Sequence, residues 1–72
     1  MNTTVLSLLV HNVDMNKVAN YESQSYTTGT NVRFDIERKT DSLVKIEMKR
    51  PNEQYRHLYG IFSFEDLQTL SN

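Results

Sequence analysis

The chain has 72 residues, no cysteine and a formal net charge of −1. A chain this short makes one domain, residues 1–72, whose thin core buries only about 60–65% of the unfolded surface. Disulfides and thiolate metal sites are excluded, and two histidines, His11 and His57, are too few for a structural zinc site without carboxylate help.

Oligomerisation is then the expected reinforcement for so small a core. The near-zero charge argues against a general polyanion binder. Residues 31–60 carry seven basic against five acidic residues, a balance of +2, while residues 1–30 give −1 and residues 61–72 give −2. Val5 to Val10 is too short an apolar run, and lacks the basic leader, for a signal peptide or a membrane span. The expectation is a cytoplasmic protein, which the lack of cysteine also fits.

Taken in order, Thr3 to Val10 is the most apolar run, and its β-branched residues favour a strand. The spacing of Leu6, Leu9, Val10 and Val13 also suits a helix; the reading adopted is a strand. Met15, Val18 and Ala19 fit a turn and a half of helix, with Asn12 or Asp14 as cap. Glu22 to Asn31 is polar and rich in Ser and Thr, with Gly29 as a turn residue. It reads as a loop or a ragged edge strand through Tyr26.

From Val32 the pattern sharpens. Val32, Phe34 and Ile36 alternate with Arg33, Asp35 and Glu37; Val44, Ile46 and Met48 alternate with Lys45, Glu47 and Lys49. Two period-2 runs joined by a short polar loop predict a hairpin. The register that pairs opposite charges sets Arg33 against Glu47, Asp35 against Lys45, Phe34 against Ile46 and Val32 against Met48. Pro51-Asn52 predicts a two-residue turn into a third strand, with Met48 facing Tyr55, Ile46 facing His57, Val44 facing Tyr59 and Glu47 facing Arg56. Tyr55, His57, Tyr59 and Ile61 then share one face, and Leu58 falls on the charged face.

Ser63 offers an oxygen to the first N–H groups of a helix over 63–71, and Asp66 can bond back to the Ser63 N–H as a capping box. Glu65 and Asp66 place negative charge at the positive end of that helix. Phe64, Leu67 and Leu70 form one apolar stripe. The fold class is α+β: an antiparallel meander of three to four strands, residues 31–61 forming its regular part, with a C-terminal amphipathic helix on one face.

No glycine-rich phosphate loop, zinc spacing or nucleophile elbow is present, so neither catalysis, a cofactor nor a metal is expected. His57 has no serine, cysteine or acid at a telling position, and capping accounts for Glu65 and Asp66 better than an acid/base pair does. A tyrosine-rich sheet face beside an apolar helix serves either as a protein-binding surface or as core, and for Tyr55 and Tyr59 both readings stand. The basic hairpin residues near aromatics suit a single-strand nucleic-acid platform, although alternating acids oppose it.

Gln54-Tyr55, the aromatic strand after it and the run Ser63-Phe64-Glu65-Asp66-Leu67-Gln68-Thr69-Leu70 resemble the small dimeric phage inhibitors of uracil-DNA glycosylase. The likeness covers less than half of the chain. It implies a homodimer whose helices border an apolar groove, and a groove that captures the loop with which the glycosylase wedges open DNA. The family's groove aromatics fall here at Leu67 and Ser71 and its contact acids at His57 and Gln68, which are departures. The expected binding residues are therefore Tyr55, His57, Tyr59, Phe64, Leu67, Gln68 and Ser71. The strands and terminal helix, with Gly60-Ile61 just before it, also loosely resemble transcriptional coactivators of the single-strand-binding type. A structural or accessory subunit is the third alternative.

Overall fold

The computed structural model describes residues 3–72. Its elements run α1 (Thr4–Asn12), α2 (Met15–Ala19), β1 (Gln24–Thr27), β2 (Arg33–Arg38), β3 (Leu43–Lys49), β4 (His57–Ser63) and α3 (Phe64–Ser71). The strands form one antiparallel meander in the order β1-β2-β3-β4. A single core of Leu6, Leu9, Val10, Val18, Phe34, Ile36, Val44, Ile46 and Leu67 joins all three helices to one face of the sheet. The α+β reading with a C-terminal helix on the sheet holds, with two further short helices beside it.

The strand expected over Thr3 to Val10 is instead α1. Leu6, Leu9 and Val10 are its buried residues, the spacing of one helical face. The helix packs against α3 as well as the core, so tertiary burial overrides the strand preference of its β-branched residues. Of the two caps proposed for the second helix, Asp14 is the one used: its carboxylate accepts the Asn16 N–H at 3.0 Å. Val18 is the buried residue of that helix.

β1 is the edge strand through Tyr26, which pairs with Phe34 and packs against the core. The β1–β2 turn contains Gly29, but the left-handed conformation falls to Asn31, with φ 63°. The Asn31 N–H donates to the Thr28 carbonyl at 2.9 Å, and the Thr28 N–H to the Val32 carbonyl at 2.9 Å. Asparagine tolerates that region better than most residues.

The β2–β3 hairpin forms, but two residues away from the expected register: Phe34 faces Met48, Ile36 faces Ile46, and Asp35 faces Glu47. The turn decides this. Thr40 Oγ1 accepts the N–H groups of Ser42 and Leu43 at 3.3 and 3.1 Å, and Lys39 N–H donates to the Leu43 carbonyl at 2.8 Å. That closed loop fixes Lys39 beside Leu43, and hence every pair beyond it. Opposite-charge cross-strand pairs contribute only about 0.2–1 kcal/mol each. Charges are satisfied mostly along the strands instead, with Arg33 Nη2 3.1 Å from Asp35 and Lys45 Nζ 3.7 Å from Glu47.

The β3–β4 register is also corrected. A proline turn forms, with the Glu53 N–H donating to the Arg50 carbonyl at 3.2 Å, but Gln54, Tyr55 and Arg56 follow before the ladder resumes. Met48 then faces His57, Glu47 faces Leu58, Ile46 faces Gly60 and Val44 faces Phe62. A bulge between Ile46 and Glu47 leaves Tyr59 without a partner across the ladder.

α3 begins where expected. Ser63 Oγ accepts the Asp66 N–H at 3.2 Å, and Glu65 and Asp66 occupy the first turn. The return bond of the capping box does not form among the described residues. Leu67 is buried, with Phe64 and Leu70 packed at the margin of the core. No described helix is long and apolar enough to cross a membrane.

Candidate functional site

The bulge at Tyr59 decides which side chains of β4 face water. Beyond it Gly60 and Phe62 follow the inner face of their partners Ile46 and Val44. Tyr59 also turns inward and meets Phe34 edge-on, with ring centroids 5.5 Å apart. Phe62 lies 6.1 Å from Tyr59 and its ring tip covers Gly60. Leu58 and Ile61 are left on the outer face, opposite Glu47 and Lys45. Leu43 shares that face and lies diagonal to Ile61, because its own partner is Ser63.

Leu58, Ile61 and Leu43 are 62%, 50% and 44% exposed. They form a row along the end of the sheet, and the core is complete without them. The Lys45–Glu47 pair runs beside the row, and Asp35, held by Arg33 at 3.1 Å and Arg56 at 3.7 Å, lies beyond it. An apolar row bordered by neutralised charge is the composition of a protein-docking surface with a polar rim.

The expected binding residues do not gather in one place. Tyr55 is 76% exposed, in the loop before β4 rather than on a strand face. His57 is exposed at the start of β4, and its Nε2 lies 3.0 Å from Glu53 Oε2. Glu53 also accepts from Arg50 Nη1 at 3.1 Å. The Arg50 bond holds the Glu53 carboxyl below its ordinary value against an opposing desolvation, with His57 adding to the lowering.

Tyr59 is half-buried against Phe34, so of the two readings open for the tyrosines, Tyr59 takes the packing role and Tyr55 the exposed one. Phe64 is half-buried and stacked by Arg38. Leu67, expected to line a groove, is 1% exposed and belongs to the core; its place on the α3 stripe aims it at the sheet. Gln68 is exposed and Ser71 half-buried, and Ser71 Oγ donates back to the Gln68 carbonyl at 2.7 Å. Among the described residues no group of His, Asp and Glu is placed to hold a metal ion.

Two features escaped the sequence. The place of Ile61 in the outer row depends on the bulge, for which the one available signal is a glycine inside a strand, Gly60. The other is Arg38, whose guanidinium donates to the carbonyls of Ala19, Thr40 and Asp41 at 2.7, 3.2 and 2.6 Å. These acceptors are backbone atoms from separate segments and leave no residue-type signature.

No protein-family model matches the chain, and neither a curated protein nor a solved structure does.

Proposed function

We propose that this chain is a non-enzymatic binding protein that acts as a homodimer and blocks a protein target. The C-terminal resemblance suggests a DNA-acting enzyme such as uracil-DNA glycosylase, in a phage-type inhibition of a host protein. The observation that carries the binding role is the outer row of Leu43, Leu58 and Ile61, exposed although the core has no use for them. Interfaces concentrate their energy in a few such anchors within a polar rim. This row supports a target contact on the sheet's outer face, whereas Leu67, in the core, offers no groove lining.

The test is a uracil-excision assay with the protein in excess over the glycosylase. Loss of cleavage, relieved by Leu58→Lys with Ile61→Lys, is the expected result. Undiminished cleavage removes the glycosylase as target.

A second reading, single-strand nucleic-acid binding, is favoured by one observation. The widely exposed Tyr55 shares an end of the sheet with Arg50, Arg56 and the directly opposed Arg33 and Lys49. An exposed ring beside cations suits base stacking with backbone contacts. Oligonucleotide retention that falls steeply with added salt is its signature, and no retention at low salt ends it.

A further inference from the structure

The sheet ends at β4, and no described segment pairs with its outer edge. An edge strand carries backbone N–H and C=O groups directed away from the sheet, and proteins normally guard them with a lysine, a proline, a bulge or a very short strand. β1 follows that rule, with four residues. β4 carries only the bulge at Tyr59 as a guard: its seven residues, HLYGIFS, contain no proline, no lysine and no carboxylate. Leu58 and Ile61 stand exposed along it.

The charges lie beyond the two ends of the strand. Arg56 precedes β4 and Arg50 lies in the same loop, while Lys49 and Arg33 face each other at that end of the sheet. Glu65 and Asp66 follow β4, both exposed in the first turn of α3. His57, paired with Glu53, is thus the one titratable group of charge-bearing type within β4; before its start Arg33, Lys49, Arg50 and Arg56 outnumber Asp35 and Glu53, and after its end the charge is acidic.

We infer that two copies of the chain pair through β4, antiparallel and about a two-fold axis at Ile61, to give one continuous sheet. The charge distribution selects both the occupant and the direction. Reversing one strand against the other brings Arg56 of each copy to Glu65 of the other, twice over. A parallel arrangement sets Arg56 beside Arg56 and Glu65 beside Glu65. With Ile61 on the axis and Tyr59 again left out of the ladder, Gly60 meets Phe62, Leu58 meets Ser63 and Arg56 falls opposite Glu65 of the second copy, so that the strand residues paired across the axis share a face. The interface is isologous, and so closes without leaving a further edge of the same kind. It also joins the two outer rows, placing both copies of Leu58 and Ile61 on one surface. The inference rests on the homodimer of the preceding reading and not on the identity of its target.

Sedimentation velocity on the full chain tests it across a concentration series. Arg56→Glu and Glu65→Lys are each expected to weaken self-association by about tenfold or more, because like charges then meet twice. Mixing the two variants restores association as a heterodimer, since both contacts become attractive. Arg56 also lies 3.7 Å from Asp35 in its own chain. Far-UV circular dichroism of each variant therefore checks the fold, and the mixture compares pairing between the same two chains. Leu58→Lys, on an exposed side chain, gives an independent variant expected to disperse the dimer. Outward β4 amides exchange slowly in the dimer and fast in the dispersed variants. A dimer indifferent to both reversals and to their mixing overturns pairing through β4 and leaves the homodimer standing. A chain that stays monomeric at every concentration overturns both. A monomer whose β4 amides become protected only on adding the glycosylase or an oligonucleotide assigns the edge to that partner and overturns self-pairing.

Discussion

Arg38 lies against Phe64, its guanidinium carbon 4.0 Å from the ring centroid, and the same group lies 4.9 Å from the ring of Tyr21. The guanidinium thus sits between Tyr21, two residues past the end of α2, and Phe64, the first residue of α3, while its N–H groups reach three carbonyls. Two are in the β2–β3 turn, and the third, Ala19, ends α2. Tyr21, with φ 64°, donates its hydroxyl to Asp41 of that same turn. One side chain therefore fastens the helical N-terminal segment, the turn that sets the sheet register and the terminal helix.

A lysine cannot reproduce this planar fork, so Arg38→Lys is expected to lose most of what Arg38→Ala loses. The cost is on the order of 2–4 kcal/mol, from charge-assisted hydrogen bonds to carbonyls and stacking on two rings. Urea unfolding midpoints of both variants measure it. A lysine variant as stable as the parent removes the fastening role.

Leu67 and Leu58 separate core from surface. Leu67 is 1% exposed and Leu58 62%. Leu67→Ala is expected to destabilise by about 2–5 kcal/mol, the lost burial plus the cavity. Leu58→Ser, away from any buried feature, is expected within about 0.5 kcal/mol of the parent. Thermal or urea denaturation at a chain concentration below that of self-association gives both, and comparable losses at the two positions contradict the assignment of Leu58 to the surface.

How far the sequence spoke depended on where each determinant lies. The alternation from Val32 to Met48 is local, so two strands and their faces were legible. Ser63 and Asp66 are likewise a local signature, and α3 begins where they place it. The register was not legible from charge. Cross-strand pairing of Asp35 with Lys45 is a weak preference, and the Thr40 hydroxyl imposes a geometry that sets Asp35 against Glu47. In α1, Leu6, Leu9 and Val10 serve either period, and only contact with α3 and the sheet selects the helix. The candidate surface was half visible, because Leu58 already fell on the charged face. Ile61 moved there only through the bulge at Tyr59.

Gly60 tests that bulge. A Cβ built there falls 2.6 Å from Cζ and 2.7 Å from Cε2 of Phe62, so the ring that covers the glycine must shift. Gly60→Ala is expected to cost about 1–3 kcal/mol as Phe62 is pushed out of its place beside Tyr59. The ring-current shifts of Tyr59 and Phe62 in a proton spectrum should change with it. Unchanged shifts with unchanged stability contradict a close Phe62 cover over the glycine.

Two contacts at opposite ends of the pH scale should titrate in opposite senses. The Arg50 bond, with help from His57, lowers the Glu53 pKa from its ordinary 4.5. A carboxyl lowered on folding contributes stability that is complete above its unfolded value and is lost as pH falls through its folded one. The 50–56 loop should therefore loosen only on acidification below about pH 4.5, and Glu53→Gln should remove that dependence. Tyr21 is raised above 10.0, chiefly by its hydrogen bond to Asp41, with desolvation and the Asp41 charge adding and Arg38 opposing. A phenol raised on folding contributes stability that is complete below its unfolded value and is lost as pH rises through the folded one. The Tyr21–Asp41 contact should survive neutral pH and release only in strong alkali, a step absent from Tyr21→Phe. Carboxyl and ring resonances followed by NMR from acid to alkali give both midpoints. A Glu53 midpoint at or above 4.5, or a Tyr21 midpoint at or below 10.0, contradicts the corresponding contact.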